Sequence, residues 1–166
     1  MPTGPAARVG DSVAHPLPPA LNPGPGSKDV QIGNMPAWRG IPAAAAAMVQ
    51  VAKKASDIAV QTLEAASKAA APTPGAGAAK AAEEAGKAAI LASMGAAISA
   101  MGAMSDIHVC NTPTPTPPHG PGVVIDGSKT VLINFMPACR MGDTIIEPLG
   151  PPNKITKGET TVIIGG

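Results

Sequence analysis

One tetrapeptide occurs three times in this chain of 166 residues, as Pro5-Ala-Ala-Arg8, Pro36-Ala-Trp-Arg39 and Pro137-Ala-Cys-Arg140. Internal repetition constrains a fold more than composition does, because each copy must find equivalent surroundings. The first two copies lie 31 residues apart, as do the β-branched runs that begin at Val131 and Val162. The gap from Pro36 to Pro137 is 101 residues, about 70 more than one repeat. An insertion therefore interrupts a repeated β-structure, and its length is close to that of an Ala-rich block at 42–104.

Composition divides the chain at the same places. Residues 1–41 are rich in Pro and Gly around one β-like run, Asp29-Val-Gln-Ile-Gly33. Residues 105–166 return to Pro/Gly turns between Gly122-Val-Val-Ile125, Thr130-Val-Leu-Ile133 and Thr161-Val-Ile-Ile164. The block 42–104 is built from strong helix formers, with Pro42 suited to a first turn and Pro72-Thr-Pro-Gly-Ala-Gly77 as its one interruption. The fold class expected is mainly β with an α-helical insertion, the insertion being an antiparallel helical hairpin.

Along the first arm Met48, Val51, Ala55, Ile58, Thr62 and Ala65 alternate steps of three and four, which predicts its packing stripe. Lys53, Lys54, Asp57, Gln61, Glu64 and Lys68 fall on other faces. The second arm starts charged at Lys80, Glu83, Glu84 and Lys87 and is then uncharged over the 17 residues 88–104. At 1.5 Å per residue that stretch spans roughly 26 Å, the short edge of membrane-crossing length. Two readings follow. Gly95, Ser99 and Gly102 form a small-residue seam against the first arm or a partner helix, or residues 88–104 enter a membrane.

The balance of 12 Lys+Arg against 11 Asp+Glu, with 1% aromatics, provides no basic stripe with stacking side chains and argues against a nucleic-acid partner. With 19 Gly, 20 Pro and few bulky side chains, the core is thin, and thin cores need a staple such as a metal. The N-terminus lacks the charged start and apolar stretch of a secretory signal, so the chain is expected to fold in the cytosol, with any export by another route. In that reducing compartment Cys110 and Cys139 point to thiol or metal chemistry rather than a disulfide.

Candidate ligands follow the repeats. Asp11, Asp106 and Asp143 each begin a turn, and four residues after each stand His15, Cys110 and Glu147. Three related turns would place those side chains around one pseudo-threefold axis. His108 precedes Cys110 by two and shares its face on an extended strand, and His119 follows in the stiff Pro-rich run 112–119. Arg8 with Asp11, and Arg140 with Asp143, are spaced for ion pairs within the turns. Trp38 is expected to cover the junction between the β-structure and the helices.

Ala6-Ala-Arg-Val-Gly-Asp-Ser-Val-Ala-His15 resembles the motif called prePAAR. The rest resembles a PAAR-repeat protein, the tip of type VI secretion and related contractile spikes. The segment Val131 to Asp143 is similar to the family's repeat core, with Cys139 where alanine is usual, and Asp106-Ile-His-Val-Cys110 and Pro118-His119 match its metal-binding stretch. The resemblance covers the outer blocks, about 100 residues. It implies a short cone of β-hairpins whose narrow end is pinned by one structural metal, usually zinc with iron as a substitute, held by three histidines and a cysteine. Carried over, the ligands are His15, His108, Cys110 and His119. Related chains often place the metal cysteine where this one has Glu147, so Glu147 is the fallback oxygen donor should Cys110 not serve. Cys139 is expected to be a small buried apolar residue.

The domains expected are a prePAAR segment with the first repeat at 1–41, the hairpin at 42–104 and the PAAR cone at 105–166. The function implied is a spike-tip protein, not an enzyme, that caps and sharpens a VgrG-type trimeric spike through the cone's wide end and carries an effector or translocation segment. It would wait in the bacterial cytoplasm and leave by injection. An Eag-type chaperone or a target membrane would meet the hairpin. Because the segment Thr161 to Gly166 resembles the family's last strand, no toxin domain is expected within the chain. The alternatives are a membrane-inserting module displayed on the scaffold and a zinc metalloenzyme with Glu147 as base. The latter lacks a substrate-pocket signature.

Overall fold

The computed structural model describes every residue except 1, 16, 18 and 114–116, and no side chain at 112–113. Most strands are very short, because Gly and Pro interrupt the outer blocks every few residues. Before the helices come β1 (Gly4–Ala6), β2 (Pro23–Gly24), β3 (Gln31–Ile32) and β4 (Met35–Pro36). Then follow α1 (Ala43–Ala70) and α2 (Ala76–Met101). The chain continues through β5 (Ile107–Pro113), β6 (Pro118–Val124), β7 (Leu132–Ile133), β8 (Met136–Pro137), β9 (Thr144–Ile146), β10 (Asn153–Lys154) and β11 (Glu159–Ile164). A five-stranded antiparallel sheet of order β10-β9-β6-β5-β2 is joined by the pair β1-β11 and the hairpins β3-β4 and β7-β8.

The three tetrapeptides close a ring. Ala7 N–H donates to the carbonyl of Cys139 at 2.9 Å, Cys139 N–H to Trp38 at 3.1 Å, and Trp38 N–H to Ala7 at 2.9 Å. No copy is left with an open edge, which is how a repeat too small to bury its own backbone satisfies its polar groups. Each copy ends in the same fork. The backbone N–H of Arg8, Arg39 and Arg140 donates to Oδ2 of Asp11, Asp106 and Asp143 at 2.8, 2.7 and 2.8 Å. Each guanidinium returns to Oδ1 of its Asp at 3.1, 2.9 and 3.1 Å. Arg and Asp are 3 residues apart in two copies and 67 apart in the third. The hairpin is thus spliced into one of three equivalent joints, and the fork re-forms across it.

Two hairpin turns carry residues at positive φ, Gly33-Asn34 (55° and 63°) and Asn134-Phe135 (52° and 66°), as the tight turns that match strand twist require. Asn and Gly suit that conformation, whereas Phe135 does not, and its ring is 87% exposed.

The core of the β-structure gathers Ala7, Val13, Leu21, Trp38, Val124, Cys139, Ile145 and Ile155. Trp38 is therefore not a cover for the helix junction. It is 1% exposed inside the β-core, because the ring of tetrapeptides turns its side chain inward. Cys139 is buried, as is Cys110, and the two do not form a disulfide. The helices meet the sheet through a second cluster of Ile41, Ala46, Val49, Met94, Ile98, Val123 and Ile146.

This packing corrects the stripe expected for α1. Ala46, Val49 and Lys53 are buried, whereas Met48, Val51 and Ile58 are 59%, 73% and 57% exposed. Both series have helical spacing, and the anchor at Ile41 decides which one meets the sheet. In α2 the buried residues are Glu83, Lys87, Met94, Gly95 and Ile98. A side-chain carbon at Gly95 would meet Pro121 and Pro148 at 3.4–3.8 Å, so this small residue serves contact with the β-structure rather than with the first arm. Among the described residues no helix is long and apolar enough to cross a membrane. Between the arms, Lys87 donates to Glu64 at 2.6 Å, and within α2 Lys87 and Lys80 donate to Glu83 at 2.8 and 3.0 Å.

Candidate metal centre

His108 and Cys110 alternate along β5 so that both point inward, 1% and 0% exposed. Residue 15 follows the bridge from Val13 to Ile155, and its loop is fixed by Ala14 N–H donating to the Lys154 carbonyl at 2.9 Å and to Asn153 Oδ1 at 3.1 Å. His119 lies on β6, and Glu147 immediately follows β9. Gly122 makes room for Glu147, since a side-chain carbon there would lie 2.9 Å from Glu147 Cγ and 2.8 Å from Ile145 Cγ2. The Pro-rich run expected to stiffen His119 lies partly outside the described residues.

These elements bring all five sequence-marked side chains together. Nε2 of His15 and His108 are 2.8 Å apart. Glu147 Oε1 lies 3.0 Å from His15 Nε2 and 3.9 Å from His108 Nε2, and its Oε2 lies 2.8 Å from His119 Nδ1. One donor atom each of His15, Cys110 and Glu147 falls within 4.8 Å of the others. Those three are the residues four places after the fork aspartates of the three repeats. Cys110 Sγ also donates to the Leu17 carbonyl at 3.6 Å.

Burial governs the electrostatics. It pushes His108 down to about 4, aided by His15, and lowers His15 and His119 below the usual histidine range. Neighbouring His119 also lowers His15, and Lys53 also lowers His119. Burial raises Glu147 to about 7, against hydrogen bonds from Asn153 and Cys110 that favour its ionised form. At neutral pH the imidazoles are uncharged and have lone pairs to offer.

The residues fit a metal ion. Nε2 of His15 and Nε2 of His108 meet beside Glu147 Oε1, so donor atoms from three separate segments converge on one point. Three imidazoles, a thiol and a carboxylate are the donor types that zinc takes. A buried cluster of His15, Cys110 and Glu147 can hold such an ion.

All five of these side chains are marked in the sequence, and the three that lie within 4.8 Å of one another include Glu147, expected there only as the fallback donor. Sequence reasoning missed the Arg39–Asp106 fork, although the repeat register marked both residues, because the hairpin separates them. It also placed Lys53 away from the packing face, where periodicity gave no signal of burial.

Against known proteins, residues 114–166, about a third of the chain, match the family model of the PAAR motif. No curated protein and no solved structure matches the chain. The PAAR motif belongs to type VI spike-tip proteins, a structural family rather than one of enzymes.

Proposed function

We propose that this chain is the tip of a contractile injection spike, seated on a VgrG-type trimer and pinned at its apex by one structural zinc ion. The observation that carries the reading is the closed ring of three tetrapeptides with three matching Arg–Asp forks. A monomer that presents threefold pseudo-symmetry is shaped to cap a threefold partner. Phe135 supports it, since a turn that holds an aromatic ring 87% exposed on a left-handed backbone presents apolar surface that burial against a partner would remove from water. Leu132 and Ile163 add exposed apolar area, at 56% and 61%.

His15, His108, Cys110 and His119 would hold the ion, with Glu147 as the alternative to Cys110. When bound, zinc would supply a closed coordination shell that ties the loop of His15 to strands β5 and β6, replacing the core that a sequence poor in bulky side chains lacks. The N-terminal prePAAR segment contributes His15 and the first tetrapeptide to this arrangement. The hairpin is the part that would meet a chaperone, and secretion would follow from riding the spike.

The test is co-purification of the zinc-loaded chain with its cognate spike trimer, and with Phe135→Asp, which is expected to abolish capture while leaving the fold intact. A folded, zinc-loaded wild type that does not bind the trimer refutes the capping role. Zinc content of single variants tests the site: Cys110→Ala and each His→Ala should lose stoichiometric zinc, and Glu147→Gln should keep it. The reverse result for Cys110 and Glu147 makes the carboxylate the fourth donor.

A further inference from the structure

Lys53 lies on the sheet-facing side of α1 and is 4% exposed. A buried ammonium needs partners that justify its desolvation. One is Asp57 a turn further on, which is 40% exposed and would pair equally well with a lysine in solvent. The other is specific to this fold: Nζ donates to the carbonyl of Gly150 at 2.7 Å. Gly150 has φ +77°, and a side-chain carbon there would lie 2.6–2.9 Å from three ring atoms of His119. Its backbone is therefore pressed against the imidazole, a contact that only glycine permits. Leu149 N–H fixes the same loop by donating to the His119 carbonyl at 3.3 Å. His119 in turn meets Glu147 at 2.8 Å. A continuous line of contacts thus runs from the inserted helix through Gly150 and His119 to Glu147.

We propose that Lys53 is a positioning residue that couples the hairpin to the apex, so that docking of α1 and binding of the metal ion stabilise each other. The inference rests on the metal reading above. Coupling of this kind is reciprocal, the ion tightening the helix by the same factor as the helix tightens the ion. One hydrogen bond from a charged donor corresponds to roughly tenfold.

The test uses the full chain with zinc, and cobalt in its place for spectroscopy, as the probes. In the wild type, zinc is expected to slow amide exchange both in residues 148–151 and in α1 around Lys53. In Lys53→Met, which keeps the stem and removes the donor, zinc should slow only 148–151 and bind about tenfold more weakly. The cobalt-substituted variant should also show an altered visible spectrum as His119 loosens, a signature that a purely structural lysine would leave unchanged. Should that variant not fold, Gly150→Ala displaces the His119 ring directly and should weaken zinc and uncouple α1 in the same way. Exchange in wild-type α1 that is indifferent to zinc overturns the inference, as does a Lys53→Met protein with wild-type affinity and a wild-type α1 response. A wild type that takes up no zinc overturns the metal reading and this inference together, so the two failures are distinguishable.

Discussion

Asp106 holds the one fork that spans the insertion, and replacing it with alanine should reveal how much that joint contributes. Its carboxylate is fully buried and accepts four hydrogen bonds: from Arg39 N, Nε and Nη2 at 2.7, 3.1 and 2.9 Å, and from Gly26 N at 2.7 Å. Asp106→Ala leaves a guanidinium that is only 12% exposed without its counter-charge, and two backbone donors lose their acceptor. Breaking a buried pair on one side costs about 3–5 kcal/mol, a large part of the 5–15 kcal/mol that holds a typical domain. The internal control is Asp11→Ala. Arg8 is 15% exposed and keeps Glu159 at 2.6 Å as a second partner, so the loss there should be about 1–2 kcal/mol. Urea unfolding of both variants in chelator should place the Asp106→Ala midpoint lower by about 1 M, for a slope near 2 kcal/mol per M. Equal midpoints would refute the argument that the fork, rather than the packing around it, closes the repeat across the hairpin.

Acid titration should single out Glu83. Hydrogen bonds from Lys87, Lys80 and Ser67 pull it down to about 2, so its contribution is complete above its ordinary value of 4.5 and is lost as pH falls toward 2. The stability advantage of wild type over Glu83→Gln should be constant above about pH 5.5 and shrink below it, measured by chemical unfolding across that range. Ile98→Ala, at a fully buried contact between α2 and the sheet, should cost about 3 kcal/mol, whereas Val51→Lys on the exposed side of α1 should stay within about 0.5 kcal/mol by the same measurement.

Much of the architecture was legible because the repeats are short and carry their own chemistry. Pro-Ala-x-Arg and the Asp that follows mark each joint, and counting four residues on from Asp11, Asp106 and Asp143 reaches the three side chains that the fold brings together. His108 was legible from the two-residue period of a strand. The face of α1 was not. Alanine occupies so many positions that side-chain volume hardly distinguishes one side of the helix from another, and the larger residues Met48, Val51 and Ile58 mark the side left in solvent. What turns the other side inward is tertiary: Ile41 in the junction cluster and the Gly150 carbonyl that receives Lys53. Trp38 was illegible for a related reason, since its inward direction is set by a ring of backbone bonds between segments as far apart in sequence as Ala7 and Cys139.

The splice point has a consequence for engineering. The link between Arg39 and Asp106 carries two long helices while the fork around it keeps the geometry of its siblings. The sibling links, Val9-Gly10 and Met141-Gly142, end in the same clasp, and Gly142 has open space around it but φ +95°, so a graft there has to keep the glycine. A domain with closely spaced termini grafted at 141–142 would therefore leave from the scaffold as the natural hairpin does, giving the β-structure a second insertion point at an equivalent joint of the repeat.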